Sequence, residues 1–176
     1  MDDDFRLEEL ASHHKREIFH CASRSIEEYL RTLARKQDRN NSTRVHVYAN
    51  TNGRIAGHFT LSAATLELRD LPEEIQRGRP KLPLPATLLG RFGVDREFEN
   101  RGLGSLLLGL ALVNAYAASK RVASAAIVLT IASDASERAS ALYRKYGFSP
   151  LPSNTNRMIL MMSVVRENLD RADRLE

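Results

Sequence analysis

The chain has no tryptophan, one cysteine and no apolar run long enough to cross a bilayer. The single Cys21 excludes a disulfide-stapled scaffold and fits a reducing cytoplasm. Aromatic residues make up only 6% of the 176 residues against 43% apolar, so the core has to be mainly aliphatic. At this length one domain over residues 1–176 can build its own core. The five histidines come without a Cys-x-x-Cys pair, and neighbours such as His13 and His14 point apart on a helix. No metal centre is therefore expected from His13, His14, His20 and Cys21. The acidic Met1-Asp-Asp-Asp start has the wrong sign for a signal peptide. From these absences a cytoplasmic globular protein without a membrane anchor is expected.

Charge is present but uneven. The net charge is +4, yet between Lys15 and Arg44 eight Lys/Arg stand against four Asp/Glu, and Arg77, Arg79, Lys81 and Arg91 form a second basic group. Such clustering permits a polyanionic partner; an ordinary solvated surface explains it as well. Ser25-Ile-Glu-Glu28 reads as a capping box, with Ile26, Tyr29, Leu30 and Leu33 on one helical face and Arg24, Arg31, Arg35 and Arg39 on the other.

Strand signals follow. Val45, Val47 and Ala49 alternate with polar neighbours, and Asn52-Gly53 is a hairpin turn into Arg54–Ser62. A short strand is expected near Thr65–Arg69, then a short helix from Leu71-Pro72. Pro80–Pro85 reads as an extended connector. Thr87–Val94 and the continuously apolar Ala125–Ile131 read as strands, the second as a central one buried on both sides. Between them a helix is expected to bury Leu103, Leu106, Leu107, Leu110 and Val113. A further helix from about Ser136 ends at Gly147, and Arg157–Val165 closes the fold as the last strand. The pattern is an α/β fold with a mixed sheet flanked by helices, its core over about residues 7–165 and its tail, 166–176, peripheral.

The most informative segment runs from Asp95 to Leu108. A strand ends at Val94, a glycine turn follows, and a leucine-rich helix begins near Leu103. Unpaired N–H groups at the start of a helix, reinforced by its dipole, suit a pyrophosphate-sized anion. Turns of this kind also serve as plain punctuation. About 40 residues on lies Ala139-Ser-Ala-Leu-Tyr143-Arg-Lys-Tyr146-Gly-Phe148.

These two motifs, in this order and spacing, resemble the GNAT acetyltransferases. The resemblance implies acetyl-CoA as cosubstrate, with its pyrophosphate wrapped by Glu99, Asn100, Arg101, Gly102, Leu103, Gly104 and Ser105. It implies that Phe92, Gly93 and Val94 offer strand backbone to the pantetheine arm. It makes Tyr143 the acid that protonates the departing thiolate, and a phenol near pKa 10 suits a thiol near 8.5. Without the resemblance Tyr143 reads as a half-buried packing residue, and Tyr146 reads so even with it. Two positions depart from the family pattern: Glu99 stands where Gln or Arg is usual, and Ser136 where relatives place a CoA-contacting Asn.

Phe19–Leu30, Gly57–Ser62 and Pro85–Asp95 extend the similarity to the toxins of the TacT and AtaT type, over roughly Leu7 to Met162. That narrower resemblance implies acetylation of the α-amino group of aminoacyl-tRNA, a ribbon-helix-helix antitoxin and a homodimer. On it, Arg31, Arg35, Arg77, Arg79 and Arg91 become candidate RNA contacts. Asp134 and Glu137 are better explained as the start of a helix than as a base. An α-amine does not demand one: with a pKa near 8, roughly a fifth of it is neutral at cytoplasmic pH, against about one lysine in a thousand. The alternative acceptors are a small-molecule amine or a protein N-terminus.

Overall fold

The computed structural model describes residues 4–135 and 137–172. Seven strands form one sheet in the order β1-β2-β3-β4-β5-β7-β6: β1 (Arg6–Glu9), β2 (Arg44–Ala49), β3 (Ile55–Leu66), β4 (Leu84–Val94), β5 (Ala126–Thr130), β6 (Ser149–Leu151) and β7 (Asn154–Met161). Only β4 and β5 run parallel; the other neighbours are antiparallel. The helices are α1 (Arg24–Thr32), α2 (Ala34–Arg39), α3 (Glu73–Gln76), α4 (Leu103–Ser119), α5 (Glu137–Lys145) and α6 (Met162–Ala172).

Alternation along each strand divides the core. Phe59, Leu89, Ile127, Leu129 and Leu160 turn to one face and pack with Leu107, Leu108 and Ala111 of α4 and Val165 of α6. Val45, Val47 and Ala49 turn to the other, beneath Ile26 and Leu30 of α1, and Ala126, Val128 and Ile159 continue that face beneath Leu71. Ala126 to Leu129 are all buried, as a central strand requires. The hairpin forms as its sequence demands: Asn50 Oδ1 accepts the N–H groups of Asn52 at 3.1 Å and Arg54 at 2.9 Å.

Several local readings give way to tertiary context. The N-cap of α1 is Ser23, not Ser25: its Oγ accepts the Ile26 N–H at 3.3 Å, and Glu27, not Glu28, reaches back to the Cys21 N–H at 3.2 Å. Ser25 instead contributes its N–H and hydroxyl to Asp134. Leu33 is 48% exposed, because the helix breaks there before α2. The strand expected at Thr65–Arg69 is the end of β3 followed by a 3-10 turn over Leu68–Asp70, and β4 starts at Leu84, inside the proline-rich stretch.

In α4 the buried set is Leu103, Leu107, Leu108, Ala111, Leu112 and Ala115, whereas Leu106 and Val113 are exposed. Apolar residues surround this helix, so spacing alone could not choose its inner face. The last strand stops at Met161, where its pairing partner β5 begins at Ala126. Met162 donates its N–H to Ala125 O at 2.9 Å, and residues 162–172 then turn helical, with Val165 buried and Leu169 against the core.

Candidate active site

The site begins as a fault in the sheet. β4 and β5 pair from Ala86↔Ala126 to Leu89↔Leu129 and then part. Beyond that point β4 carries one extra residue relative to β3, between Phe59↔Phe92 and Leu61↔Leu89. This bulge is held by Thr60, whose Oγ1 accepts the Arg91 N–H at 2.8 Å. Glycine at position 90 leaves room for this contact, since a Cβ there would stand 2.7 Å from the same hydroxyl oxygen and displace it. The parting strands open a cavity of about 740 Å³, lined by Gly90 to Val94, Leu129 to Ala132, Glu99, Asn100, Gly104, Leu142 and Tyr143 among others.

One end of this cavity is the glycine turn. Asp95 starts it, 1% exposed, and accepts from the His20 N–H at 3.0 Å, the Glu97 N–H at 3.0 Å and both terminal nitrogens of Arg54, at 3.1 and 3.0 Å. Gly102 caps α4 with φ of +78°, a conformation that costs other residues more. The second left-handed position is Asn100, at φ of +60°, not Gly104, which is already helical. A Cβ on Gly104 would meet only Leu142, at 3.6 Å, so the space it would occupy belongs largely to the cavity. Arg138 ties the turn to α5 through Asn100 Oδ1 at 2.7 Å, and Tyr146 does the same through its hydroxyl to Ser105 O at 2.8 Å. Tyr146 is thus a tether as well as a packing residue.

Tyr143 presents itself to the cavity from α5. Its ring is wedged edge-on between Phe92, 6.0 Å away, and Phe148, 5.9 Å away. Burial pushes its phenol well above the ordinary tyrosine value, so it carries its proton throughout the physiological range. No hydrogen-bond acceptor holds that proton among the described residues.

The other wall is made by the segment leading into α1. Cys21, Ala22, Ser23 and Ile26 line it. The Cys21 thiol donates to Ser23 O at 3.1 Å, and burial raises it to about 11, so it is no thiolate. Asp134 clasps this wall to the β5–α5 connection, accepting from Ser23 Oγ at 2.7 Å and from Ser25. Those hydrogen bonds, the Ser23 one foremost, lower its carboxyl. Asp134 thus makes a long-range clasp that the local sequence did not announce.

Of the residues singled out from sequence, Phe92, Gly93, Val94, Glu99, Asn100, Gly104 and Tyr143 line one cavity together with Arg91. Leu103 is buried in the core, Gly102 and Ser105 contribute backbone to the turn, and the Arg101 guanidinium lies over the Phe98 ring at 5.8 Å. Ser136 lies outside the described residues. Sequence reasoning missed Thr60, Gly90, Asp95 and Arg54: each acts through a partner distant in sequence, and only the Gly90 glycine offered a local sign.

The basic residues divide. Arg35, Lys36 and Arg39 line a shallow surface pocket with Arg16 and Arg31, whereas Arg24, Arg77 and Arg79 do not line it. Arg31 is largely committed internally, to Phe19 O at 2.7 Å and Glu27 at 2.9 Å. His13 and His14 do not point apart, since the chain turns there instead of forming a helix, and their rings lie 4.0 Å apart beside Glu8. Both nitrogens of His14 are used: Nδ1 accepts from Ala11 at 2.8 Å and Nε2 meets Glu8 at 2.7 Å.

A parallel pair that splays at a bulge, followed by a glycine turn capping a helix and a tyrosine facing the gap, defines an acyl-CoA-dependent transferase fold. The chain belongs to the acetyltransferase (GNAT) family, whose sequence profile matches residues 7–148. Its relatives include a "tRNA-acetylating toxin" of Mycobacterium tuberculosis, 30% identical over 84% of this chain and 86% of that one. Another is the "Probable toxin TacT" of Sinorhizobium fredii, 28% identical over 87% and 88%. Among solved structures, AtaT complexed with acetyl-methionyl-tRNAfMet superposes with a TM-score of 0.85 at 23% identity, covering 94% of this chain and 99% of that one. Among the described residues no helix is long and apolar enough to cross a membrane.

Proposed function

We propose that the protein is an acetyl-CoA-dependent N-acetyltransferase that acetylates the α-amino group of aminoacyl-tRNA and thereby blocks translation. The observation that carries this reading is the cavity between the parted strands, with a helix N-terminus at one end and inside it a phenol that has no hydrogen-bond partner among the described residues. In it, the N–H groups of Leu103, Gly104 and Ser105 receive the pyrophosphate, with Glu99 to Ser105 wrapping it. Phe92, Gly93 and Val94, paired with β3 on one side, offer the strand edge that β5 has left to the pantetheine arm. The neutral amine attacks the acetyl carbonyl and forms the C–N bond. As the C–S bond breaks, the Tyr143 phenol gives its proton to the departing sulfur, and the proton shed by the new amide nitrogen restores the phenol through solvent.

Arg35, Lys36 and Arg39, with Arg77 and Arg79 as a second exposed group, supply charge for the tRNA backbone. A ribbon-helix-helix antitoxin, a homodimer and a cytoplasmic location complete the reading. The test is regulated expression followed by mass spectrometry of the amino acids carried by tRNA. Growth arrest with N-acetylated aminoacyl-tRNA supports the proposal. Acetylation of free amines or protein N-termini, with tRNA untouched, replaces it with the alternative acceptor class.

A further inference from the structure

Unlike the surface arginines, Arg91 sits on the bulge of β4 and lines the cavity, and its guanidinium lies 5.1 Å from the centroid of the Tyr29 ring of α1. Among the described residues no carboxylate pairs with it. The groups around it carry no compensating charge. Tyr29 keeps its proton, its phenol raised by burial. His58 of β3 is fully buried with neither ring nitrogen partnered, and is pushed down to about 3 by burial and then by Arg91, so it is neutral. Cys21, on the segment before α1, is a protonated thiol. The nearer acids are engaged elsewhere: Asp38 of α2 pairs with Arg44 at 3.3 Å, and Asp134 is held by Ser23 and Ser25. Glu99 and Arg138 line the cavity from the glycine turn and α5. Where β4 faces α1, the cavity wall among the described residues thus carries the Arg91 guanidinium and no carboxylate.

We propose that Arg91 is a positioning residue that keeps the acceptor's α-amino group in its neutral, nucleophilic form, in place of a base. This rests on the acceptor being an amine delivered to this cavity. A guanidinium repels an ammonium more than it does an amine, and in a partly buried site at an effective dielectric near 20 that repulsion exceeds thermal energy over a side chain's length. The ammonium therefore sheds its proton to the water filling the open cavity, and the lone pair is free to attack. His58 cannot take that proton, being enclosed and unable to charge. The same repulsion disfavours acceptors that bring a second cation into the cavity, such as lysyl or arginyl groups.

The experiment compares wild type, R91Q and R91K for kcat at saturating charged tRNA from about pH 5.5 to 8.5, since kcat reports the ionisation of the bound amine, with acetyl-CoA affinity confirming that each variant is folded. A free α-amine titrates near 7.7–8.0, and binding beside Arg91 brings the acid limb below that. The expected result is an acid limb moved upward by at least half a pH unit in R91Q. The loss would then be threefold to tenfold near pH 6.5 and shrink towards pH 8.5, and R91K would restore the wild-type limb. An equal loss at every pH overturns the proposal. So does weaker binding of deacylated tRNA with an unmoved limb, which would make Arg91 a phosphate contact. If wild type leaves charged tRNA untouched, the proposed acceptor fails, and the same pH comparison on whichever primary amine it does acetylate still decides the role of Arg91.

Discussion

The two walls of the cavity are made of different material. On the proposed cosubstrate side the binding elements are main chain: the turn around Gly102 and the first N–H groups of α4. On the proposed acceptor side they are side chains: Cys21, Ser23, Ile26 and Arg91 backed by Tyr29. A wall of backbone recognises what is common to every molecule of a cosubstrate, and it tolerates change wherever φ, ψ and space are kept. A wall of side chains sets the choice of acceptor and is rebuilt by single substitutions. Asp95 joins the two, because it holds His20 on the acceptor side and the turn on the other.

Tyr143→Phe is the strongest test of that division, since the phenol reaches into the space between the walls. The ring and its packing against Phe92 and Phe148 remain, and among the described residues the hydroxyl makes no hydrogen bond that the change would remove. Stopped-flow or steady-state assays should show kcat reduced about a hundredfold to ten-thousandfold, or roughly 3–5 kcal/mol of barrier, with acetyl-CoA binding unchanged. Near-normal turnover in a folded variant would reduce Tyr143 to packing.

Asp95→Asn strikes the joint. It leaves Arg54, 19% exposed in its side chain, facing a neutral amide and weakens the hold on His20. Breaking one partner of a buried pair costs about 3–5 kcal/mol, and the amide retains part of that, so urea denaturation should show a loss of about 2–3 kcal/mol. A loss within about 0.5 kcal/mol, the range of an ordinary surface change, would mean that the two walls are independently supported.

Gly104→Val addresses the backbone wall alone. The branched side chain finds little protein to collide with but fills cavity space beside the helix N-terminus. Calorimetry should show acetyl-CoA bound at least tenfold more weakly, about 1.4 kcal/mol, with circular dichroism unchanged. Unchanged affinity would remove the glycine turn from the cosubstrate site.

Replacing Arg35, Lys36 and Arg39 with alanine leaves both walls intact and removes only outer charge. Filter binding at graded salt should show a shallower dependence of tRNA affinity, by about 0.7–0.9 in log–log slope for each phosphate that is no longer neutralised. An unaltered slope would move RNA binding to the Arg77 and Arg79 group. Arg31 is a poor choice for this test, because its ties to Phe19 and Glu27 make its removal a structural change.

Much of this molecule is written in short stretches of chain. The Asn50–Gly53 turn, the β5 strand, the Gly102 cap and the Gly147 helix end rest on signals within a few residues, where conformational preference and hydrophobic period act directly. Tertiary structure alone decided which face of α4, apolar on most sides, turns inward, where β7 gives way to α6, and that Ser23 rather than Ser25 caps α1. It also decided that β4 and β5 part after Leu89, that Thr60 pins the bulge, and that Asp95 finds Arg54 across 41 residues. The reason is common to all of these. Each depends on a hydrogen bond or a packed surface supplied by a distant segment, and nothing in the local sequence specifies which of several equally apolar or equally polar neighbours will meet it.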